Sequence, residues 1–200
     1  GMASAGAACE FHIVVSDGFA ARGHFGTVGV GGIRTYLTPY EDVEKLMPQY
    51  LDPVYQAEAI RDADVPKLLN LTGYQTIIEP TRSRLLDVPA DGQTKTWLND
   101  LRAGPRLSPS TAPCYVEFRI ISQMYEKTAL SRMLYSWFQV RQFDGNQILF
   151  EYNTAKATQV AAFPPKSETE ADAARADLRR AFRASLLRFA TSGKFKKLRR

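Results

Sequence analysis

RMLYSWFQVRQFDGNQILFEYNT, residues 132–154, reads as two strands joined by a tight turn. The β-branched and aromatic residues of 132–143 and 147–154 suit a pleated backbone. Between them, Asp144-Gly145 suits a short turn that needs positive backbone dihedrals. Leu134, Ser136, Phe138 and Val140 fall on one side of the first strand, and Met133, Tyr135, Trp137, Arg141 and Phe143 on the other. Apolar mass on both sides predicts an interior strand, with a helix over one face and a second cover, such as a partner, over the other. Just upstream, CYVEFRII (114–121) reads as a third strand.

Downstream, SETEADAARADLRRAFRASLLRF (167–189) predicts a long amphipathic helix. Ser167 and Glu170 have the spacing of a capping box, and Glu168, Glu170 and Asp172 complement the positive end of the helix dipole. Leu178, Phe182, Leu186 and Phe189, with Ala174 and Ser185, form one stripe expected to pack on the sheet built from 114–154. Gly193 stops the helix, and KFKKLRR (194–200) reads as a solvated basic tail.

Working outward toward the start, EFHIVV (10–15) and TVGVGGIRTYL (27–37) read as strands with a loop, SDGFAARGHFG, between them. Residues 40–51 have helical spacing at Val43, Leu46, Met47 and Tyr50. Asp52-Pro53 predicts a helix start, Val65-Pro66 a break, Gly73 a left-handed helix stop and YQTIIE (74–79) a strand. Residues 81–113, rich in Pro and Gly, form a long excursion with one short helix near 94–102. The fold class is therefore α+β: a mixed or antiparallel sheet with helices packed on one face, a C-terminal hairpin and a long amphipathic C-terminal helix. Residues 1–9 are read as a disordered start or signal remnant, 10–193 as one domain, and 194–200 as the tail.

The chain has 200 residues, 44% of them apolar and 24% charged, enough for a substantial core and close to the globular norm. Its net charge of +5 is local. Lys194, Lys196, Lys197, Arg199 and Arg200 account for it, and the rest of the chain holds basic and acidic residues in equal number. These five are the candidate contacts to an anionic surface, a membrane or nucleic acid. No apolar run has the length of a membrane-spanning helix.

Two cysteines allow at most one bridge. Cys114, in an apolar strand, reads as a small core residue. Cys9 ends the small-residue run Ala3-Ser4-Ala5-Gly6-Ala7-Ala8, as at an export-signal cleavage site, which makes it a candidate lipid-attachment cysteine. Gly6 stands where a lipobox has an aliphatic residue. Gly1-Met2 reads as an expression scar before a chosen start; if Met2 is instead the native start, a cytoplasmic protein is expected.

Catalytic signatures are weak. GHFGTVGVGG (23–32) lacks the Gly-Lys-Ser/Thr ending of a nucleotide loop and the dinucleotide fingerprint. Cys9, His12 and His24 offer three soft ligands without metal-site spacing. Asp87, Asp91, Asp100 and Glu117 show no acid–base pairing and read as solvated charges, and Arg82, Arg84, Arg102 and Arg106 read as scattered surface cations. No catalytic residue, metal or cofactor is assigned.

The order helix, glycine, strand, then V-R-Q-F-D-G-N-Q-I-L-F-E-Y, then L-R-R-A-F-R-A-S-L-L-R-F, resembles the periplasmic auxiliary lipoproteins of bacterial envelope transporters over residues 53–80 and 114–192. Their α/β domain is similar to the amino-terminal domain of the TolB translocation protein and to curli-secretion lipoproteins. The resemblance implies a non-enzymatic cell-envelope accessory protein, periplasmic or anchored to the outer membrane. It would dock other envelope proteins through its sheet edge and loops, with Cys9 at the lipidated position. Two other readings remain open: a cytosolic binding module whose basic tail touches nucleic acid or a membrane, and an enzyme with a site under the 81–113 excursion.

Overall fold

The structure is a computed structural model that describes residues 8–29, 32–39, 41–84 and 94–198. Its fold is α+β, with a mixed sheet of seven strands among the described residues. β5 (Tyr115–Lys127), β6 (Arg132–Asp144) and β7 (Gln147–Gln159) form an antiparallel meander. Asp144 pairs with Gln147 across the turn, and Gly145 takes φ 56°, as the Asp-Gly signal requires.

The other edge of β5 is shared by two strands. β1 (Glu10–Val14) runs parallel to its first half, with Val14 opposite Arg119. β2 (Phe19–Gly29) runs parallel to its second half, with Phe19 opposite Gln123. Ser16 sits at the break between them: its hydroxyl donates to the Ile121 carbonyl at 3.0 Å, while the Gln56 side-chain amide exchanges two 2.9 Å hydrogen bonds with the Ser16 backbone. β3 (Gly32–Pro39) pairs antiparallel with β2, and β4 (Gln75–Ile78) parallel with β1. Residues 19–26, expected as loop, are therefore strand. Their pairing with β5 and β3 overrides a glycine content that disfavours strand locally.

One face of this sheet carries the core. α5 (Ala171–Ala190) lies over β6 and β7, and α1 (Glu41–Tyr50) beside it. The expected stripe is the one that packs: Phe182 and Phe189 lie 6.1 and 5.1 Å from the Phe138 ring, and Phe189 lies 5.7 Å from Phe118. α2 (Pro53–Asp62) starts as predicted, with Asp52 Oδ2 accepting from the Tyr55 amide at 3.2 Å. Left-handed Asp64 separates it from α3 (Val65–Leu68); Asn70 takes the left-handed position just after α3, and Gly73 takes φ 89° before β4, the positive backbone angle expected of it.

The capping box does not form. Residues Glu168–Glu170 make a 3-10 turn before α5. Ser167 Oγ meets Thr169 Oγ1, and the Glu170 carboxylate accepts from the Lys166 amide instead of that of Ser167. The extra turn moves the helix start three residues on, so Ser167 no longer faces the orphan amides of α5.

Candidate functional site

Alternation along the strands sends Tyr115, Glu117 and Arg119 of β5, and Gln139, Arg141 and Phe143 of β6, to the face opposite α5. Most are polar and all six are buried. The cover is α4 (Thr94–Ala103) and the segment that follows it, so much of the 81–113 excursion is folded onto the sheet. Trp97 meets Trp137 at 5.6 Å, and Gln139 Nε2 donates to the Leu101 carbonyl at 2.8 Å.

Arg141 and Glu117, each 1% exposed, form the central ion pair. Arg141 Nε donates to Glu117 Oε1 at 2.6 Å, while its terminal nitrogens donate to the carbonyls of Gly104 (2.6 Å) and Pro105 (2.8 Å). Glu117 Oε2 accepts from Tyr115 Oη at 2.6 Å and from the Leu107 amide at 2.9 Å. Burial and the adjacent Glu117 charge push the Tyr115 phenol well above its ordinary range. Arg106 lies 4.2 Å over the Tyr115 ring and donates to the carbonyls of Ser110 and Ala112. This is a clamp on the excursion in which the Arg141–Glu117 pair is matched, while Arg106 is held by carbonyls and keeps one buried nitrogen, Nη2, without a partner. Arg119, 6% exposed, differs: its Nε and Nη2 have no hydrogen-bond partner. Burial and the neighbouring Arg141 push its guanidinium down to about 10.

At the parallel edge, His12 is held between two carboxylates, Glu79 Oε1 at 2.5 Å from Nδ1 and Glu10 Oε1 at 2.8 Å from Nε2. Ser110 Oγ donates to Glu10 at 2.5 Å, and this hydrogen bond holds the Glu10 carboxyl below its ordinary range. Because the serine bonds the carboxylate and not the imidazole, the trio does not have the serine–histidine contact that activates a nucleophile. No group of His, Cys, Asp and Glu among the described residues is arranged to hold a metal ion.

Cys9 and Cys114 form a disulfide that joins the starts of β1 and β5. A sulfur in that bond cannot also carry a thioether, so this structure offers no Cys9 thiol to a lipid. Cys114, expected as a small core residue, is instead half of the bridge. Of the soft-ligand trio, Cys9 is bonded to Cys114 and His12 lies between Glu10 and Glu79, while His24 stands opposite Leu37 in the β2–β3 pair. The acidic quartet does not converge either. Glu117 is paired, Asp100 is exposed on α4, and Asp87 and Asp91 lie outside the described residues. Arg82 and Arg84 face Asp17 at 3.4 and 3.5 Å, Arg102 is exposed, and Arg106 lies against Tyr115.

The basic tail also differs from expectation. Lys194–Lys197 form a 3-10 turn, and Phe195 and Leu198 are buried, Phe195 against Phe189, Tyr152 and Phe150. Lys194, Lys196 and Lys197 are exposed, and Arg199 and Arg200 lie outside the described residues. A chain truncated after Gly193 should therefore melt lower than the whole one, and Phe195→Ala alone should cost about 1.5–3 kcal/mol in urea unfolding. Equal melting of the truncated and whole chains would mean that the turn does not pack.

A concave surface lies between α2 and the outer edge of β4. Val15, Ala57 and Pro80 help line a groove of about 370 Å³, with Glu58, Arg61 and Arg82 among its charged residues. Val54 and Ile78, both lining it, are 64% and 43% exposed. The amides of Gln75 and Glu79 are spent on β1. With a two-residue repeat, Thr76 and Ile78 present their backbone groups outward. No helix among the described residues is long and apolar enough to cross a membrane.

No family model and no curated protein matches the chain. Solved structures resemble it distantly. A hypothetical protein of Chlamydia trachomatis matches at 14% identity and TM-score 0.39, over 96% of this chain and 100% of that one. A Xanthomonas campestris protein of the DUF330 family matches at 8% identity and TM-score 0.34, over 93% and 81%. Lipoprotein GNA1162 of Neisseria meningitidis matches at 9% identity and TM-score 0.32, over 92% and 99%. Likeness at this distance assigns neither activity nor partner.

Proposed function

We propose that the chain is a non-enzymatic accessory protein of the bacterial cell envelope that docks an extended segment of another envelope protein along β4. The observation that carries the reading is the β4 edge, whose outward backbone groups border an apolar groove with Val54 and Ile78 exposed. An edge strand beside such a groove can take an added strand, with main-chain hydrogen bonds for affinity and the groove for a side chain. The Cys9–Cys114 bond supports a place outside the reducing cytoplasm. The buried charges beneath α4 support a binding role over catalysis, since they spend their hydrogen bonds on backbone and on one another.

A photo-crosslinking residue at Val54 tests this in the native host. Crosslinks to envelope proteins are expected, and Ile78→Pro, which removes an outward amide that β1 does not use, should abolish them with the melting temperature little changed. Crosslinks that survive Ile78→Pro, or their absence in the unsubstituted background, would overturn the reading.

A further inference from the structure

Between Leu178 and Arg200 the sequence holds nine basic residues and no Asp or Glu. The rest of the chain holds 17 basic and 21 acidic residues, so the positive field is concentrated there. On the solvent side of α5, Arg180, Arg183 and Leu187 follow at intervals of three and four residues, so they share one ridge, of which Arg180 is paired with Asp177 at 2.8 Å. Leu187 is 45% exposed among these cations. Beyond the helix the chain turns at Gly193, with φ 79°, and Phe195 anchors the turn on Phe189 at 5.2 Å. Lys194, Lys196 and Lys197 are thereby exposed from a fixed platform instead of a free arm.

Helix-dipole complementarity accounts for Arg188, which lies in the last turn and donates to Thr158 Oγ1 at 2.6 Å. It does not reach the lysines past the helix, while Arg183, five residues earlier, donates to Tyr55 Oη at 2.7 Å and remains exposed. We propose that the α5 ridge and the anchored turn form a docking surface for the anionic headgroups of a phospholipid membrane. An exposed leucine on a ridge that also carries arginines suits a surface that is charged outside and apolar just beneath, as a lipid interface is and a phosphate backbone is not. The Cys9–Cys114 bond also belongs to a compartment without nucleic acid. The anchored turn lies by β7, at the sheet edge opposite β4, so its lysines can be tested separately from strand docking.

The test is flotation of the whole chain with vesicles containing phosphatidylglycerol and with pure phosphatidylcholine vesicles. Binding is expected to the first and not the second, and to weaken as salt rises. Replacing Arg183, Lys194, Lys196 and Lys197 with Gln should lower partitioning by roughly several hundredfold, at about fivefold for each charge, with a melting temperature changed little by the loss of the Arg183–Tyr55 bond. Leu187→Ser should weaken binding at constant charge. Three results would each overturn the proposal: no preference for the anionic vesicles, undiminished binding by the four-Gln chain while it melts like the parent, or tighter binding to duplex DNA than to vesicles at equal salt.

Discussion

Arg141→Met should destabilise the protein by about 3–5 kcal/mol, among the largest effects of any single substitution. The guanidinium it removes is the partner of a carboxylate that is 1% exposed, and it also satisfies the carbonyls of Gly104 and Pro105. With it gone, Glu117 keeps hydrogen bonds from Tyr115 and Leu107 but loses its countercharge in a place that water does not reach. Glu117→Leu should be similarly costly, because it strands the cation. The double variant Glu117→Leu/Arg141→Met should cost less than the sum of the two by about 2–3 kcal/mol, since neither charge is then left alone. Arg119→Met should have the opposite sign and stabilise by about 1–3 kcal/mol, because two guanidinium nitrogens are buried without acceptors. Urea unfolding of the four variants measures all of this. An Arg141→Met cost below about 1 kcal/mol would mean that water reaches the pair.

The sequence alone marks these charges as solvated for a physical reason. Glu117 and Arg119 interrupt the apolar CYVEFRII, and Arg141 interrupts FQVRQF. A charge alternating with apolar residues ordinarily marks the solvated face of a strand, and the second face here is solvated only until the excursion covers it. The available signal was the combination: opposite charges on one parity of two adjacent strands, with Trp137 and Phe143 on that same parity. The hairpin and α5 were legible because their cues are local, a turn dipeptide and a stripe of period 3.6. The β1–β5 and β2–β5 pairings were not, because each joins strands about a hundred residues apart, and no local residue announces that Phe19 will lie opposite Gln123. The lysines of the last turn point to a solvated end. Phe195 and Leu198, three apart, were the sign that the turn has an apolar side.

The second large effect concerns the bond between Cys9 and Cys114, which closes a loop with a sequence separation of 105. A cross-link over that length removes a large part of the unfolded chain's freedom, and loop-closure entropy puts its contribution at about 4–5 kcal/mol. The bond sits where three parallel strands begin: the Glu10 amide donates to the Cys114 carbonyl and the Gln75 amide to the Cys9 carbonyl. The double substitution Cys9→Ser/Cys114→Ser should thus lower stability by about 3–5 kcal/mol and fray β1 and β4 before β6 or β7, which keep their own meander. Hydrogen exchange of the oxidised and substituted chains reads both effects. Protein isolated from its host with free thiols trapped at lysis also decides between the two fates of Cys9. The disulfide predicts that neither cysteine takes alkylating reagent until reductant is added. Lipidation predicts a Cys9 peptide carrying the mass of a diacylglycerol and a Cys114 that alkylates without reduction, which would remove the bond from the native protein and give the membrane its hold at the opposite end of the chain from the α5 ridge.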